Sequence, residues 1–147
     1  MNILDDILAG VTGITSNLWP HPSEKPCMVD GKLRPCPGTP NCVSSETGTP
    51  SPAAVQPFAF TGSPEEAWAK LKQTIAKLGG TVHEESGGYL WTTFLVPVFG
   101  FTDDVEFRLD APGKAIHVRS ASRLGYSDLG VNRTRVEQIR AAFNQKP

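Results

Sequence analysis

The sequence has no excess of positive charge. Its 147 residues include 14 lysines and arginines against 15 aspartates and glutamates, which gives a net charge of −1 at pH 7. Proteins that bind nucleic acid usually carry a clustered basic surface that neutralises phosphates. The composition therefore argues against this class, and no nucleic-acid partner is expected.

Cysteine is also scarce. Cys27, Cys36 and Cys42 are too few for a disulfide-rich scaffold, and an odd number leaves at least one outside any internal pair. A zinc site that included His21 would lack the short Cys-x-x-Cys spacing usual in structural sites. A nucleophilic Cys42 would need a base held by a third group, and no such set is evident. We therefore expect no metal or cofactor, and a structural loop in which Cys36 and Cys42 are either disulfide-bonded or free.

The first 24 residues contain no lysine or arginine, which does not suit a secretory signal peptide. Asp5 and Asp6 interrupt the apolar residues, so a transmembrane span is not expected either. The apolar residues instead recur at helical spacing. This stripe consists of Ile3, Leu4, Ile7, Leu8, Val11, Ile14 and Leu18, with Trp19 at its end. The pattern predicts an amphipathic helix over residues 1–19 that packs on its own domain or a second copy, docks on another protein, or lies on a membrane surface.

Proline is concentrated in one stretch. Nine of the thirteen prolines fall within residues 20–57, around the segment CPGTPNCVSS at residues 36–45. Because proline fixes φ and has no N–H, this stretch is predicted to be an extended arm and not a helix or a central strand.

Residues 58–147 have the pattern of a compact α+β domain. After a short strand at 58–60, a helix is predicted to begin at Ser63 and Pro64, with Glu66 completing a capping box, and to end before Gly79. Its predicted buried stripe is Trp68, Leu71, Ile75 and Leu78. Strands are predicted over residues 81–85 and 89–98.

The clearest hairpin spans residues 103–123. A turn at Pro112 and Gly113 would oppose Leu109 with Ile116, Phe107 with Val118, Glu106 with Arg119 and Arg108 with His117. A final helix is predicted after Asn132, with Val136, Ile139 and Phe143 facing inward. The order strand, helix, four strands, helix predicts a two-layer α+β fold, an antiparallel sheet with helices on one face, similar to TATA-binding-protein-like and helix-grip folds.

Polar residues gather after the last strand. Ser120 and Ser122 interrupt its apolar face, and buried hydroxyls require partners. Arg119 and Arg123 would either pair with nearby carboxylates or contribute, with the serines, to a site for an anion or a lipid headgroup. The candidate ligand or partner surface comprises Arg119, Ser120, Ser122, Arg123, Tyr126, Ser127, Asp128, Asn132, Arg133 and Asp104.

Three blocks carry a family resemblance: CPGTPNCVSS, FTDDVEF and IHVRSASRLGYSDLGVNRTRVEQIR. Together with FTGSPEEAWAKLK they resemble the bacterial and plastid family called domain of unknown function 1499, over residues 33–143. The family carries no established activity, so the resemblance implies important positions and not roles. Its occurrence in cyanobacteria and plant plastids implies a link to photosynthetic (thylakoid) membranes.

Three functions remain open on this basis. The first is a non-catalytic accessory protein, cytoplasmic or peripheral on a membrane, whose N-terminal helix and arm dock onto a larger protein assembly. The second is a carrier of a small ligand or an anionic headgroup. The third is an enzyme acting through Cys42, Asp104, Arg123 and Asp128, although no paired-carboxylate or glycine-rich phosphate motif indicates a reaction.

Overall fold

A computed structural model describes residues 25–96, 100–125 and 127–146. The helix predicted over residues 1–19 lies outside the described residues, as does Tyr126 of the candidate surface. Within the described ranges the strands are β1 (Met28–Val29), β2 (Lys32–Leu33), β3 (Cys42–Ser44), β4 (Phe58–Ala59), β5 (Thr81–Ser86), β6 (Tyr89–Val96), β7 (Phe101–Asp110) and β8 (Ala115–Ser122). The α-helices are α1 (Pro64–Lys77) and α2 (Val131–Phe143).

The main sheet is antiparallel and has the order β3-β8-β7-β6-β5. Two strands share the outer side of β8: β4 pairs with its first half, where Phe58 lies opposite Ile116, and β3 pairs with its second half, where Val43 lies opposite Ser120. β1 and β2 form a separate two-stranded hairpin. The predicted α+β class with an antiparallel sheet is confirmed.

The predicted register of the β7–β8 hairpin is also confirmed. Leu109 pairs with Ile116, Phe107 with Val118, Glu106 with Arg119 and Arg108 with His117. Apolar residues therefore lie on one face of the sheet and charged residues on the other, because successive side chains in a strand alternate between faces.

Helix α1 begins as its sequence predicts. The Ser63 side chain accepts a hydrogen bond from the Glu66 backbone N–H at 3.1 Å, and the helix ends one residue before Leu78. Trp68, Leu71 and Ile75 are buried, but the prediction for Leu78 was wrong, since 40% of this residue is exposed. Leu78 follows the last helical residue, where helical periodicity no longer sets the direction of a side chain.

The core lies between the two helices and the apolar face of the sheet. Leu71 and Ile75 of α1 and Val136 and Ile139 of α2 are fully buried. Phe143 is buried as predicted, whereas α2 starts at Val131, so that Asn132 lies inside the helix and does not precede it. The core cluster is completed from the sheet by Leu90, Phe94, Val105, Phe107, Ile116 and Val118.

The arm covers the charged face of the sheet. The Lys25 Nζ lies 2.8 Å from the Glu84 carboxylate on β5, and β3 pairs with β8 at the opposite side of the sheet. Residues 25–44 therefore cross the sheet from one edge to the other. As a result Glu106, which the alternation pattern places on the charged face, has no exposed surface.

Candidate functional site

A cluster of charged groups is buried between the arm and the sheet. The Tyr89 hydroxyl donates to Glu106 at 2.7 Å, and Arg119 Nη1 donates to the other carboxylate oxygen at 3.3 Å. From the arm, Arg34 Nη2 lies 3.7 Å from Glu106, and the Pro35 carbonyl accepts a hydrogen bond from Arg119 at 3.4 Å. The predicted pairing of Arg119 with Glu106 is therefore made, and two arm residues complete it.

Burial controls the ionisation of this cluster. It raises the pKa of Glu106, an effect that the Tyr89 hydrogen bond and the two arginines only partly oppose. Burial and the neighbouring carboxylate also raise the pKa of Tyr89, so that the phenol stays protonated and acts as a donor. The Nε atoms of Arg34 and Arg119 are buried without a hydrogen-bond partner in the described part of the chain.

Two further ion pairs hold this face. Arg123 donates from Nε and Nη2 to the two oxygens of Asp104, each at 2.9 Å, and Trp91 Nε1 donates to Asp104 at 2.8 Å. The hydrogen bond to Asp104 raises the pKa of Arg123. Of the two alternatives that the sequence left open for Arg123, the structure has the ion pair with a nearby carboxylate.

Glu46 forms the second ion pair and was not predicted. Arg108 donates to both of its oxygens at 2.7 and 2.8 Å, and the Leu33 backbone N–H donates at 2.7 Å. The Nδ1 of His117 lies 3.4 Å away. Burial raises the pKa of Glu46, but Arg108, the Leu33 N–H and His117 together outweigh that effect and lower it overall. Glu46 stands in an irregular stretch of the arm, where no periodic pattern could mark it.

On the opposite face, Asn132 joins the sheet, the arm and α2. Its Oδ1 accepts from the Ser120 hydroxyl at 2.5 Å, and its Nδ2 contacts Ser122 Oγ at 2.8 Å and Asp128 at 2.7 Å. The Nδ2 also lies 3.2 Å from the Asn41 carbonyl of the arm. Asn132 is fully buried, so these bonds replace all its contact with water. The hydroxyls of Ser120 and Ser122, for which the sequence required partners, thus have one within the chain.

Asp128 and Asn41 fix the loop that leads into α2. Asp128 accepts hydrogen bonds from the backbone N–H groups of Gly130 at 2.8 Å and Asn132 at 3.0 Å, so it satisfies N–H groups at the start of α2, where Gly130 is the N-cap residue. Asn41 Nδ2 donates to the Gly125 carbonyl at 2.7 Å. The arm therefore touches both ends of the 125–132 loop.

Two arginines of α2 make further contacts within the chain. Arg133 donates to the arm carbonyls of Pro52 at 2.8 Å and Ala54 at 3.2 Å. Arg135 pairs with the buried carboxylate of Asp103, whose pKa is raised by burial although Arg135 opposes the rise.

The cysteine loop forms one wall of an open cleft. Cys36 and Cys42 are joined by a disulfide with their Cα atoms 5.6 Å apart, while Cys27 is an exposed free thiol. The cleft has a volume of about 510 Å³. Its other walls are the Pro50–Ala53 turn and the start of α2, including Ser127, Asp128 and Arg133.

The candidate residues do not form one site. Arg119, Arg123 and Asp104 lie on the face covered by the arm, whereas Ser120, Ser122 and Asn132 lie on the helix face. Ser127, Asp128 and Arg133 lie at the cleft beside α2. Three of them, Arg119, Asn132 and Arg133, donate side-chain hydrogen bonds to carbonyl groups of the arm.

The fold and these contacts define a small α+β protein whose proline-rich arm is fixed to the sheet by paired polar residues. The chain belongs to the family described as protein of unknown function (DUF1499), which matches residues 32–143. The predicted resemblance is thereby confirmed. A comparison with curated proteins finds no match. In the described part of the chain, neither helix has the length and apolar character needed to cross a membrane.

Proposed function

We propose that this protein is a non-catalytic accessory module that docks onto a larger, membrane-associated assembly through its N-terminal segment and its arm. One observation carries the proposal: three polar residues of the surface that the sequence marks use their side-chain hydrogen bonds to hold the arm. Asn132 contacts Asn41, Arg133 contacts Pro52 and Ala54, and Arg119 contacts Pro35. Residues that hold a segment in one fixed shape are expected where that shape is recognised by a partner.

The arm is held firmly enough to serve as a recognition surface. Asn41, Ser45 and Glu46 are each less than a tenth exposed, although they lie in the irregular stretches on either side of β3. A segment fixed before binding loses little conformational entropy when a partner docks, which favours affinity. The N-terminal stripe, from Ile3 to Trp19, immediately precedes this surface along the chain.

The partner is proposed to be a protein of a photosynthetic membrane complex, with this chain peripheral and not inserted. Support for the location comes from the family resemblance. Support for a protein partner comes from the stripe, because apolar residues at helical spacing fit a groove on another protein. The aspartates among the stripe residues make an anionic lipid surface the less favoured contact.

A small ligand is the second candidate function, and the cleft of about 510 Å³ favours it. That volume lies in the range typical of small-molecule sites. Its polar wall groups, Asp128 and Arg133, already bind backbone groups of the chain, so a ligand there would have to rely on the disulfide, proline and valine surfaces.

The two candidates are separated by a matched pair of variants. Leu8→Asp places a charge on the stripe, and Thr12→Asp places one between stripe residues. Both tagged chains are cross-linked in cells of the source organism and their partners are compared by quantitative mass spectrometry. We expect a partner whose cross-links map to residues 1–19 to be lost with Leu8→Asp and kept with Thr12→Asp.

The contrary result comes from native mass spectrometry of the gently purified chain. An excess mass below about one kilodalton that disappears on denaturation, with equal partners for both variants, would refute docking and favour the ligand carrier.

A further inference from the structure

The Cys36–Cys42 disulfide closes a loop that contacts both faces of the sheet. On one side of the bridge, the Pro35 carbonyl accepts from Arg119 and Arg34 approaches Glu106 at 3.7 Å. On the other side, Asn41 contacts Asn132 and Gly125. The ring of seven residues therefore ties the buried charge cluster of one face to the start of α2 on the other.

Most of the ring lies outside the hydrophobic core. Residues 36–41 are not part of the core cluster, whereas Cys42 is buried in β3 beside Val43, which belongs to that cluster. Opening the ring would therefore release contacts of the arm while leaving Leu71, Ile75 and their neighbours packed. Stability is commonly divided in this way, so that one segment opens while the rest of a domain stays folded.

The disulfide also borders the cleft. Both cysteines line the cavity of about 510 Å³, where Cys42 is 3% exposed and Cys36 is more exposed than Cys42. An attacking thiolate would accordingly reach the sulfur of Cys36 first. Thiol–disulfide exchange needs such access, because the attacking sulfur must approach the disulfide directly.

We propose that this disulfide is a redox-sensitive clasp, opened through the cleft by a dithiol reductant of the Cys-x-x-Cys type. A thiolate of the reductant attacks Cys36 Sγ, which forms a mixed disulfide and releases Cys42 as a thiolate. The second thiol of the reductant then attacks the reductant sulfur that is bonded to Cys36. This closes the disulfide of the reductant and releases Cys36 as a thiolate. Two electrons and two protons pass to the chain, and the reductant leaves as a disulfide.

Opening the clasp frees residues 36–41 and with them the contacts of Asn41, while Cys42 stays paired with Ala121 in β3. Asn41 supplies the carbonyl near Asn132 and the amide that binds Gly125, so the entry to α2 loosens at the same time. The redox state of one bond thus sets the shape of the arm and of the cleft together. This inference does not depend on the docking partner proposed above, because it concerns the isolated chain.

The test is hydrogen–deuterium exchange of the full-length Cys27→Ser protein, oxidised and after treatment with a reduced Cys-x-x-Cys oxidoreductase. Backbone amides in residues 36–46 and 127–133 should exchange at least about tenfold faster after reduction, the scale expected from removing a small closed ring. Amides in α1 should not change. The double variant Cys36→Ser/Cys42→Ser should match the reduced protein and should not respond to the reductant.

Three results would overturn the proposal. Equal exchange in both redox states would show that the ring holds nothing in place. Faster exchange in α1 as well would make the bridge a general staple and not a local clasp. Reduction that requires urea would show that the cleft gives no access. Should the double variant fail to fold, treatment of the Cys27→Ser protein with dithiothreitol, followed by iodoacetamide trapping of both thiols in the folded chain, decides the same question.

Discussion

At the scale of single residues, the molecule uses its charged side chains to fasten an irregular segment. Glu46 binds Arg108 of β7 and the Leu33 N–H of the arm, so one carboxylate joins three parts of the chain. Exposed ion pairs contribute little to stability, but this one is largely shielded, with 9% of the Glu46 side chain and 18% of the Arg108 side chain exposed. Shielding from water makes the pair a measurable contributor to folding.

Glu46→Gln should therefore lower the free energy of unfolding at pH 7 by about 1.5–3 kcal/mol, the range for hydrogen bonds to charged groups. Because the pKa of Glu46 is lowered on folding, its contribution is fully present above its ordinary pKa of 4.5 and is lost as the pH falls through the folded value. The difference in unfolding free energy between the wild type and Glu46→Gln should accordingly become smaller below about pH 4.5. Urea unfolding followed by circular dichroism across pH 3–7 measures it.

The matched control for that experiment is Glu65→Gln, at an exposed position in the first turn of α1. It should change the unfolding free energy by less than about 0.5 kcal/mol. An equal loss in the two variants, or a Glu46→Gln gap that stays constant with pH, would contradict the role given to Glu46.

At the scale of elements, local sequence patterns predicted the β7–β8 hairpin and helix α1. Alternation along β7 and β8 fixed which residues share a face, and the match of Glu106 with Arg119 fixed the register, so the hairpin was predictable in detail. The Ser63 cap and the apolar stripe of α1 predicted that helix through Ile75. Leu78 was mispredicted because the apolar spacing in the sequence continues for one residue beyond Lys77, where the helix ends.

The cover over the charged face was not predictable in the same way. The contact between Arg108 and Glu46 joins residues 62 positions apart, and no local period encodes it. The sequence indicated that Ser120 and Ser122 would need partners, but Asn132 was named without its role as their shared partner. Periodicity shows which face a residue occupies, and it does not show which distant segment covers that face.

Strand β5, the last strand of the sheet in the described chain, shows how an edge is protected. Its residues are mostly exposed, its register shifts between Val82 and Glu84, and it carries His83, Glu84 and Glu85. A register irregularity and charged side chains both discourage another strand from pairing with an edge.

Replacing His83 and Glu84 together by valine should therefore promote self-association. The β-branched side chains favour strand pairing and remove a charge that opposes it. Light scattering coupled to size-exclusion chromatography should show dimers or larger species at micromolar concentrations. The control His83→Thr/Glu84→Lys should keep the wild-type mass, and equal masses for both double variants would show that the edge is protected in another way.

At the scale of the whole molecule, the arm is as much a part of the folded unit as the sheet. Leu33, Val43 and Val55 are buried, and β3 is a strand of the main sheet. Without residues 25–57, the carboxylate of Glu106 and the guanidinium of Arg119 would lose Arg34, Pro35 and their cover. The apolar core between sheet and helices would meanwhile lose Val43 and Val55.

A chain of residues 58–147 should consequently fail to unfold cooperatively in urea, whereas residues 25–147 should show one sharp transition by near- and far-ultraviolet circular dichroism. The longer chain keeps every contact described above, while the shorter one opens a side of the core and exposes the paired charges to water, where such pairs contribute little. A sharp transition in the shorter chain, with a denaturant slope in proportion to its length, would contradict this, because the slope reports the surface buried on folding. That outcome would make residues 58–147 an independent domain to which the arm is only attached. The contacts of Asn132, Arg133 and Arg119 with the arm would then serve to present the arm to a partner and not to stabilise the fold.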